Sequence, residues 1–459
     1  MLDDTIAAVS TAVGNAGISI IRLSGPEAFG IADRIFRGKK KVKNQETHTV
    51  QYGKIIFPES GEALDEVLLI KMAAPKTYTR EDVVEISSHG GYTVAKSLLD
   101  LLYQYGARPA EPGEFTKRAF LSGRIDLSQA EAVMDVIQAR TERVSKVAVK
   151  QLEGSLSDKI NGIRENLIAL LAQLEVNLDY PEYDDEEVSM SKAEEATKKI
   201  IGELDGLISG FRFGKLLREG VQVVIAGRPN VGKSSLMNRL TRKNRSIVTD
   251  IPGTTRDTIE EYININGIPV KLVDTAGLHE TEDLVEKLGV ERSINALETA
   301  DFAVIMAEAS QSLRREDLDI LEKVSESKIP YVLVYNKIDL VDDREAITKL
   351  KRENPHALFM SIPENTGIDE LEDKIAGFAT LNNQDIDNQV LVTNARHEHL
   401  LKKARSYLCS VLSSAKSGMT LDIVAMDLKS ALEELGKIIG RHADEDVVNA
   451  IFSRFCIGK

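Results

Sequence analysis

A glycine-rich segment in the middle of the chain has the residue types and spacing that hold a nucleotide phosphate. It reads Gly227-Arg-Pro-Asn-Val-Gly232-Lys233-Ser234 and lies between an apolar run and a helical run that begins at Ser235. Glycines let backbone N–H groups approach phosphate oxygens, a lysine here neutralises the β- and γ-phosphates, and the serine hydroxyl can ligate Mg²⁺. We expect the nucleotide contacts of this segment to be Asn230, Val231, Gly232, Lys233, Ser234 and Ser235.

Two further motifs follow in the order that a guanine-nucleotide site requires. Asp274-Thr-Ala-Gly277 lies behind a strand-like run, where the aspartate can hold Mg²⁺ through water and the glycine N–H can contact the γ-phosphate. Asn336-Lys-Ile-Asp339 ends another run, and a carboxylate there accepts hydrogen bonds from guanine N1–H and N2–H₂, two donors that adenine lacks. The predicted GTP contacts in these motifs and in the base-supporting loop are Asp274, Thr275, Ala276, Gly277, Asn336, Lys337, Asp339 and Ser361.

The elements that position these motifs follow from hydrophobic patterning. Apolar runs at Val221–Ala226, Val270–Val273, Phe302–Met306 and Tyr331–Tyr335 alternate with helical patterns, which predicts a mainly parallel α/β sheet. Asn266-Gly267 predicts a hairpin that adds one antiparallel strand.

Helical patterns flank the α/β unit on both sides, so the simplest arrangement is a helical domain into which that unit is inserted. Residues before about 120 mix short strand-like runs with turns, and an acidic segment from Asp179 to Val188 reads as a solvated loop. The fold class is therefore multidomain, α+β and α/β. The predicted segments are 1–120, 121–219, 220–379 and 380–459.

Composition limits the classes of protein that this chain can be. Its 459 residues include 58 Lys and Arg against 72 Asp and Glu, a net charge of −14. A chain this acidic needs a local basic patch or a partner to contact RNA. Two cysteines exclude a disulfide scaffold and a paired-cysteine zinc site. Since we find neither an apolar run near the roughly 20 residues of a membrane span nor a basic, apolar leader, we expect a cytoplasmic protein without a membrane span.

Motifs outside the nucleotide site resemble those of the MnmE (TrmE) family of tRNA uridine-modification GTPases. The most specific are Pro112-Gly-Glu-Phe-Thr-Lys-Arg-Ala-Phe120 and the terminal Phe452-Ser-Arg-Phe-Cys-Ile-Gly-Lys459, and Ile251-Pro-Gly-Thr-Thr-Arg-Asp257 looks like the family's switch I. The resemblance covers essentially the whole chain. It implies an N-terminal folate-binding-like α+β domain, a discontinuous helical domain and an inserted Ras-like P-loop G domain.

The resemblance also implies a function. Family members are K⁺-dependent GTPases that are activated when two G domains meet, and they form homodimers through the N-terminal domain. With the FAD-dependent partner MnmG (GidA), in a heterotetramer, they add an aminomethyl or carboxymethylaminomethyl group to C5 of the wobble uridine of tRNA. The one-carbon unit comes from 5-formyl- or methylene-tetrahydrofolate, and FAD enters only through the partner.

The resemblance assigns roles to individual residues. Glu286 is similar to the glutamate that orients the attacking water, a task that Leu278 cannot perform where many small GTPases have Gln. Thr249 and Thr255 join the GTP contacts, and Thr255 joins Ser234 as a Mg²⁺ ligand. The K⁺ ligands implied are Asn230, Thr249, Thr254 and the backbone of Ile251, and the folate contacts implied are Arg22, Glu85, Arg124 and Lys459.

Some alternatives stay open at this point. Cys456 is either a small buried hydrophobic residue or a functional thiol near the folate carbon, and the basic segment Arg37–Lys43 is either a solvated loop or an RNA contact, the loop being favoured. The competing functions are a ribosome-assembly RNA-binding GTPase, for which we find no RNA-binding module of KH type, and a folate-dependent aminomethyltransferase with a regulatory G domain.

Overall fold

The N-terminal part of the chain forms a seven-stranded sheet with helices against one face. The computed structural model describes residues 4–12, 14–179, 186–244, 261–274, 300–341, 344–380 and 390–459. The N-terminal elements are β1 (Ile6–Val9), β2 (Ile18–Ser24), α1 (Ala28–Ile35), β3 (Phe36–Gly38), β4 (Thr49–Ile56), β5 (Ala63–Met72), β6 (Val83–His89), α2 (Tyr92–Gln104), β7 (Arg108–Pro109) and α3 (Glu114–Leu121).

The order of this sheet is β3-β4-β5-β6-β2-β1-β7, antiparallel except for the β1–β7 pair. Side chains alternate between its faces, so that Ile21 and Ile86 are buried with α1 and α2. The other face includes Val50, Tyr52 and Leu68, which are about half or more exposed (58%, 61% and 47%). This face is therefore uncovered around β4 and β5 in the described chain, whereas at β1 it is covered, since Ile6 and Ala8 pack against Phe115 of α3.

The first half of the helical part comprises α4 (Leu127–Gln138), α5 (Glu142–Leu152), α6 (Ser155–Asp179) and α7 (Glu186–Glu219). Helix α4 begins at a capping box, in which the Asp126 side chain accepts from Gln129 N and the Gln129 side chain accepts from Asp126 N. The predicted loop from Asp179 to Val188 is wrong at both ends, since Asp179 ends α6 and α7 begins at Glu186; residues 180–185 lie outside the described chain.

The α/β unit follows α7 directly. It consists of β8 (Val221–Gly227), α8 (Lys233–Asn244), β9 (Glu261–Ile265), β10 (Ile268–Asp274), β11 (Phe302–Glu308), α9 (Arg315–Glu326), β12 (Tyr331–Asn336), α10 (Arg344–Glu353), β13 (Leu358–Phe359) and α11 (Ile368–Thr380). The sheet order is β13-β12-β11-β8-β10-β9, parallel except for β9. The four predicted strands and the Asn266-Gly267 hairpin are confirmed, with φ of 50° and 83° at the turn.

The chain then returns to the helical part through α12 (Ala395–Lys416), α13 (Leu421–Ile438) and α14 (Glu445–Phe452). Leucines of α6, α7, α12 and α13 share one buried core, for example Leu167, Leu204, Leu401 and Leu428. The α/β unit is therefore an insertion within one helical unit, as predicted. Helices end at Leu121, Glu219 and Thr380, near the proposed domain boundaries, which stay a prediction.

A buried carboxylate joins the two halves of the helical part. Glu131 on α4 accepts from Asn394, Arg396 and His397 at the start of α12, with distances of 2.9 Å to Asn394 Nδ2, 2.7 Å to Arg396 Nη2 and 2.7 Å to His397 Nε2. Burial alone would raise the pKa of Glu131, but His397 and Arg396 lower it to about 2. The carboxylate is therefore ionised and fully partnered across the insertion.

No helix in the described part of the chain is long and apolar enough to cross a membrane.

Glu131→Gln tests this junction. The substitution leaves Arg396 without its countercharge and the buried His397 without its carboxylate partner, so we expect a loss of about 3 kcal/mol, measured as a lower midpoint of thermal unfolding by circular dichroism. Since the folded pKa of about 2 lies below the unfolded value of about 4.3, this stabilisation is present above about pH 5 and is lost as the pH falls toward 2. The Glu131→Gln variant should not show this loss of stability as the pH falls from about 5 toward 2.

The matched control is Glu142→Gln, which removes an exposed carboxylate paired with Lys146 on α5. Its midpoint should match that of the wild type. Equal midpoints for Glu131→Gln and the wild type would contradict the role of the junction.

Candidate functional site

The glycine-rich loop between β8 and α8 has the backbone conformation that its sequence requires. Gly227 has a φ of 152°, and a Cβ on it would lie 2.4 Å from Met306 O on the neighbouring strand β11. Gly232 has a φ of 104°, and a Cβ there would lie 2.4 Å from the side-chain nitrogen of Asn336. Asn230 also adopts a positive φ, of 63°. Glycine is therefore needed twice in this loop, for positive φ and for close approach to neighbours.

Lys233 lies against the interior of the same loop. Its ammonium donates to the carbonyl oxygens of Gly227 and Arg228, both at 2.8 Å. Ser234 and Ser235 follow it, exposed in the first turn of α8. The first turn of a helix has backbone N–H groups without helical partners and a positive potential, so this loop can bind a phosphate.

The guanine-motif residues lie beside the phosphate loop. Asn336, at the end of β12, donates from Nδ2 to Val231 O at 2.8 Å, whereas its Oδ1 is buried without a hydrogen-bond partner among the described residues. Asp339 follows in an exposed short turn. Ser361 is fully buried and pairs with Thr366 through two backbone hydrogen bonds of 3.0 and 3.1 Å. The glycine-rich loop and the guanine motif therefore lie at the same edge of the sheet.

Several predicted site residues lie outside the described chain. Of Asp274 the structure describes only the backbone, at the end of β10 and paired with Ile225 of β8. The predictions that fall on undescribed residues are those for Thr249, Ile251, Thr254, Thr255, Thr275, Ala276, Gly277 and Glu286. Within the described residues, no cluster of three or more His, Cys, Asp or Glu side chains could hold a metal.

A buried ion pair fixes the second residue of the phosphate loop. Arg228 Nε lies 2.8 Å from both carboxylate oxygens of Asp317 on α9, and both residues are more than nine-tenths buried. Asp317 also accepts from Arg314 N at the start of α9. Sequence reasoning missed this pair because nothing in the spacing of 89 residues links the two.

The predicted folate residues gather around two aromatic rings. Arg22 on β2 faces Glu85 on β6 in register and forms an ion pair of 2.8 Å with it. The Arg22 guanidinium lies 5.8 Å from the Tyr78 ring centre and 5.6 Å from that of Phe115, and the Arg124 guanidinium lies 4.8 Å from Tyr78. Tyr78 and Phe115 were not among the predicted site residues.

The C-terminal residues reach the same region. Phe115 N donates to Lys459 O at 3.1 Å, and Ser10 Oγ donates to Gly458 O at 3.1 Å. A Cβ on Gly458 would lie 2.1 Å from Val9 O, so only glycine allows the tail to lie this close to β1. Cys456 is exposed, so its interpretation as a small buried hydrophobic residue is wrong; its role as a functional thiol stays a prediction.

Two family models together match nearly the whole chain. The model described as the MnmE helical domain matches residues 127–456, and the model described as the GTP-binding protein TrmE N-terminus matches residues 5–124. The chain belongs to the MnmE (TrmE) family. Because the two family models match the N-terminal part and the helical part as well as the α/β unit, they favour this family over the ribosome-assembly GTPases.

Curated relatives match this chain over nearly its whole length. A protein of Acetivibrio thermocellus is 50% identical over 100% of this chain and 99% of its own length. Proteins of Lactobacillus delbrueckii subsp. bulgaricus and Staphylococcus epidermidis are each 46% identical over 99% of this chain and 98% and 99% of their own lengths. All three are named tRNA modification GTPase MnmE.

Asp339→Asn tests the base contact of this MnmE-family chain. Exchanging the carboxylate for an amide replaces one of the two acceptors for guanine N1–H and N2–H₂ by an NH₂ donor, so GTP binding should weaken and the preference should move toward xanthine nucleotides. Fluorescent-nucleotide titration measures both affinities, with Asp319→Asn on the exposed side of α9 as the control. Unchanged GTP affinity in the Asp339→Asn variant would show that residues 336–339 do not bind the guanine base.

Proposed function

We propose that this protein hydrolyses GTP within a complex that modifies C5 of the wobble uridine in tRNA. The observation that carries the proposal is the hydrogen bond from Asn336 to Val231 O, because it sets the guanine motif against the phosphate loop in a chain whose relatives are named tRNA modification GTPases. The reaction adds an aminomethyl or carboxymethylaminomethyl group, with the one-carbon unit from a tetrahydrofolate.

Phosphate-loop residues carry the first part of this function. Exposed Ser234, with Thr255 and Asp274, would hold Mg²⁺, and Asn230, Thr249, Thr254 and the backbone of Ile251 would hold K⁺. The two cations would supply positive charge that stabilises the transferring phosphoryl group. Lys233 binds the β- and γ-phosphates, and Glu286 orients the attacking water. Closure of the site requires a second G domain.

The cluster of cationic and aromatic side chains around Tyr78, which we call the folate pocket, supports the folate proposal. Two guanidinium groups, of Arg22 and Arg124, suit the carboxylates of a folate, the rings of Tyr78 and Phe115 suit its flat ring systems, and Glu85 can accept from ring N–H groups. Lys459 adds a further charge at the chain's end. A 5-formyl- or methylene-tetrahydrofolate is the ligand that fits this donor set.

The uncovered face of the N-terminal sheet supports a homodimer. Ile18, Val50, Tyr52 and Leu68 are exposed apolar side chains of that sheet, and contiguous exposed apolar surface marks an interface. The same face includes Arg22 and Glu85, so a second copy would approach the folate pocket. We further propose an FAD-dependent MnmG partner that completes a heterotetramer, and a cytoplasmic location, where tRNA is modified.

Mass spectrometry of wobble uridine in tRNA tests the function. A strain that lacks the protein should lose the aminomethyl-type nucleoside and regain it with the wild-type chain. Arg22→Ala should fail to restore the nucleoside while it keeps full GTP hydrolysis, because it removes a folate contact and leaves the α/β unit untouched. The control Arg352→Ala, exposed on α10, should restore it. If the Arg22→Ala variant restores the nucleoside, Arg22 is not needed for folate binding.

GTP turnover in matched KCl and NaCl buffers tests the hydrolysis mechanism. Turnover should require K⁺, and Asn230→Gly, which preserves the positive φ, should remove most of the dependence. Glu286→Ala should lose most hydrolysis, a fall on the order of 10²–10³, while GTP binding stays near that of the wild type. Glu322→Ala on α9 is the control. Equal rates in both salts would exclude the K⁺ mechanism.

A further inference from the structure

A cationic loop stands out on the surface of this acidic protein. The segment Arg37-Gly-Lys-Lys-Lys-Val-Lys43, which we call the basic loop, connects β3 to the short turn Val42–Asn44 and carries five cations in seven residues, in a chain with a net charge of −14. Its side chains other than Val42 are exposed. Such a density of one charge calls for a physical account.

The backbone of the basic loop is fixed. Val42 is fully buried, and its N–H donates to the carboxylate of Asp33 on α1, as does the N–H of Lys43. Lys40 exchanges two hydrogen bonds with the Gln51 side chain on β4, 2.5 Å from its N–H to Oε1 and 2.9 Å from Nε2 to its carbonyl oxygen. The lysines therefore project from an ordered scaffold, which lowers the entropy cost of binding through them.

In the described part of the chain, the lysines of the basic loop are not held in ion pairs. Among the described residues, none of Lys39, Lys40, Lys41 and Lys43 has an ion-pair partner, and the nearby Asp33 uses its oxygens on backbone N–H groups. Lysines elsewhere on the surface are commonly paired along a helix, as Lys198 is with Glu194 and Lys402 with Glu398. The basic loop therefore keeps a concentrated positive potential.

Arg37 has a different role within the loop. Its Nη1 donates to the carbonyl oxygens of Asp33, Arg34 and Phe36 at the end of α1, at 3.3, 3.1 and 2.9 Å. It therefore supports the helix end, and the three consecutive lysines are left for an external ligand.

We propose that the basic loop binds the phosphate backbone of the tRNA on which the protein acts. A row of flexible ammonium groups without directional partners suits a repeating phosphate charge and carries no base specificity. The proposal rests on the proposed function for the identity of the RNA. It resolves how a chain with so large a negative charge approaches a polyanion: the contact is made by one ordered segment and not by the surface as a whole.

The test is the salt dependence of tRNA binding by the full-length chain. Lys39→Gln, Lys40→Gln and Lys41→Gln are combined in one variant that keeps Arg37 and Val42, so the scaffold stays intact. We expect affinity at about 50 mM salt to fall roughly tenfold, and the slope of log K against log salt to shrink by about 2 to 3, near one unit per lost phosphate contact. The thermal unfolding midpoint and GTP turnover should not change.

The matched control combines Lys198→Gln, Lys349→Gln and Lys402→Gln, which are exposed helix lysines and lower the net charge by the same amount. Its slope should equal that of the wild type. Equal losses in both variants would show a general charge effect and overturn the proposal, as would absence of tRNA binding by the wild-type chain. The proposed function is tested separately, by the wobble nucleoside in cells.

Discussion

The buried carboxylate of Glu131 joins two helices that are separated by the whole α/β unit. Its partner Arg396 lies 265 residues later, yet the two side chains are 2.7 Å apart. A buried charge is tolerable only when its partners are complete, so this junction specifies one alignment of α4 and α12. Arg218, paired with Asp135 at 2.8 Å, fixes the end of α7, and β8 begins two residues after α7 ends. The position of the phosphate loop thus depends on how the helical halves close.

The same closure brings the chain's end to its beginning. Helix α14 leads to a tail whose carbonyl oxygens accept from Gly113 and Phe115 at the start of α3, beside the guanidinium of Arg22. Before α5, Thr141 donates to Gly267 O at 2.8 Å, and the Arg140 guanidinium lies 3.2 Å from the Tyr262 ring centre, in the hairpin of the α/β unit. The residues around Arg22 and the hairpin of the α/β unit therefore both contact the helical part.

What sequence reasoning could predict followed from local chemistry. The phosphate loop, the strands and the hairpin are each encoded within a few consecutive residues, as the positive φ values of Gly232 and Asn266 illustrate. Helices α1 and α2 were not predicted, because short amphipathic runs among strands do not separate from them by periodicity. The contacts of Tyr78 and Phe115 with Arg22 were missed for another reason: only tertiary folding brings these residues together, which sequence spacing does not encode.

The two cationic side chains of the phosphate loop, Arg228 and Lys233, have different partners. The guanidinium of Arg228 is neutralised by Asp317, whose two carboxylate oxygens both accept from Arg228 Nε, and that carboxylate also accepts from the backbone N–H of Arg314, just before α9. Arg228 therefore positions the loop and adds little net charge to it. The ammonium of Lys233 donates at 2.8 Å to the carbonyl oxygens of Gly227 and Arg228, and the charged oxygens of a phosphate are stronger acceptors for an ammonium group than carbonyl oxygens are. The planar guanidinium of arginine suits the buried contact with Asp317, and the compact ammonium of lysine on its flexible stem suits a contact with phosphate.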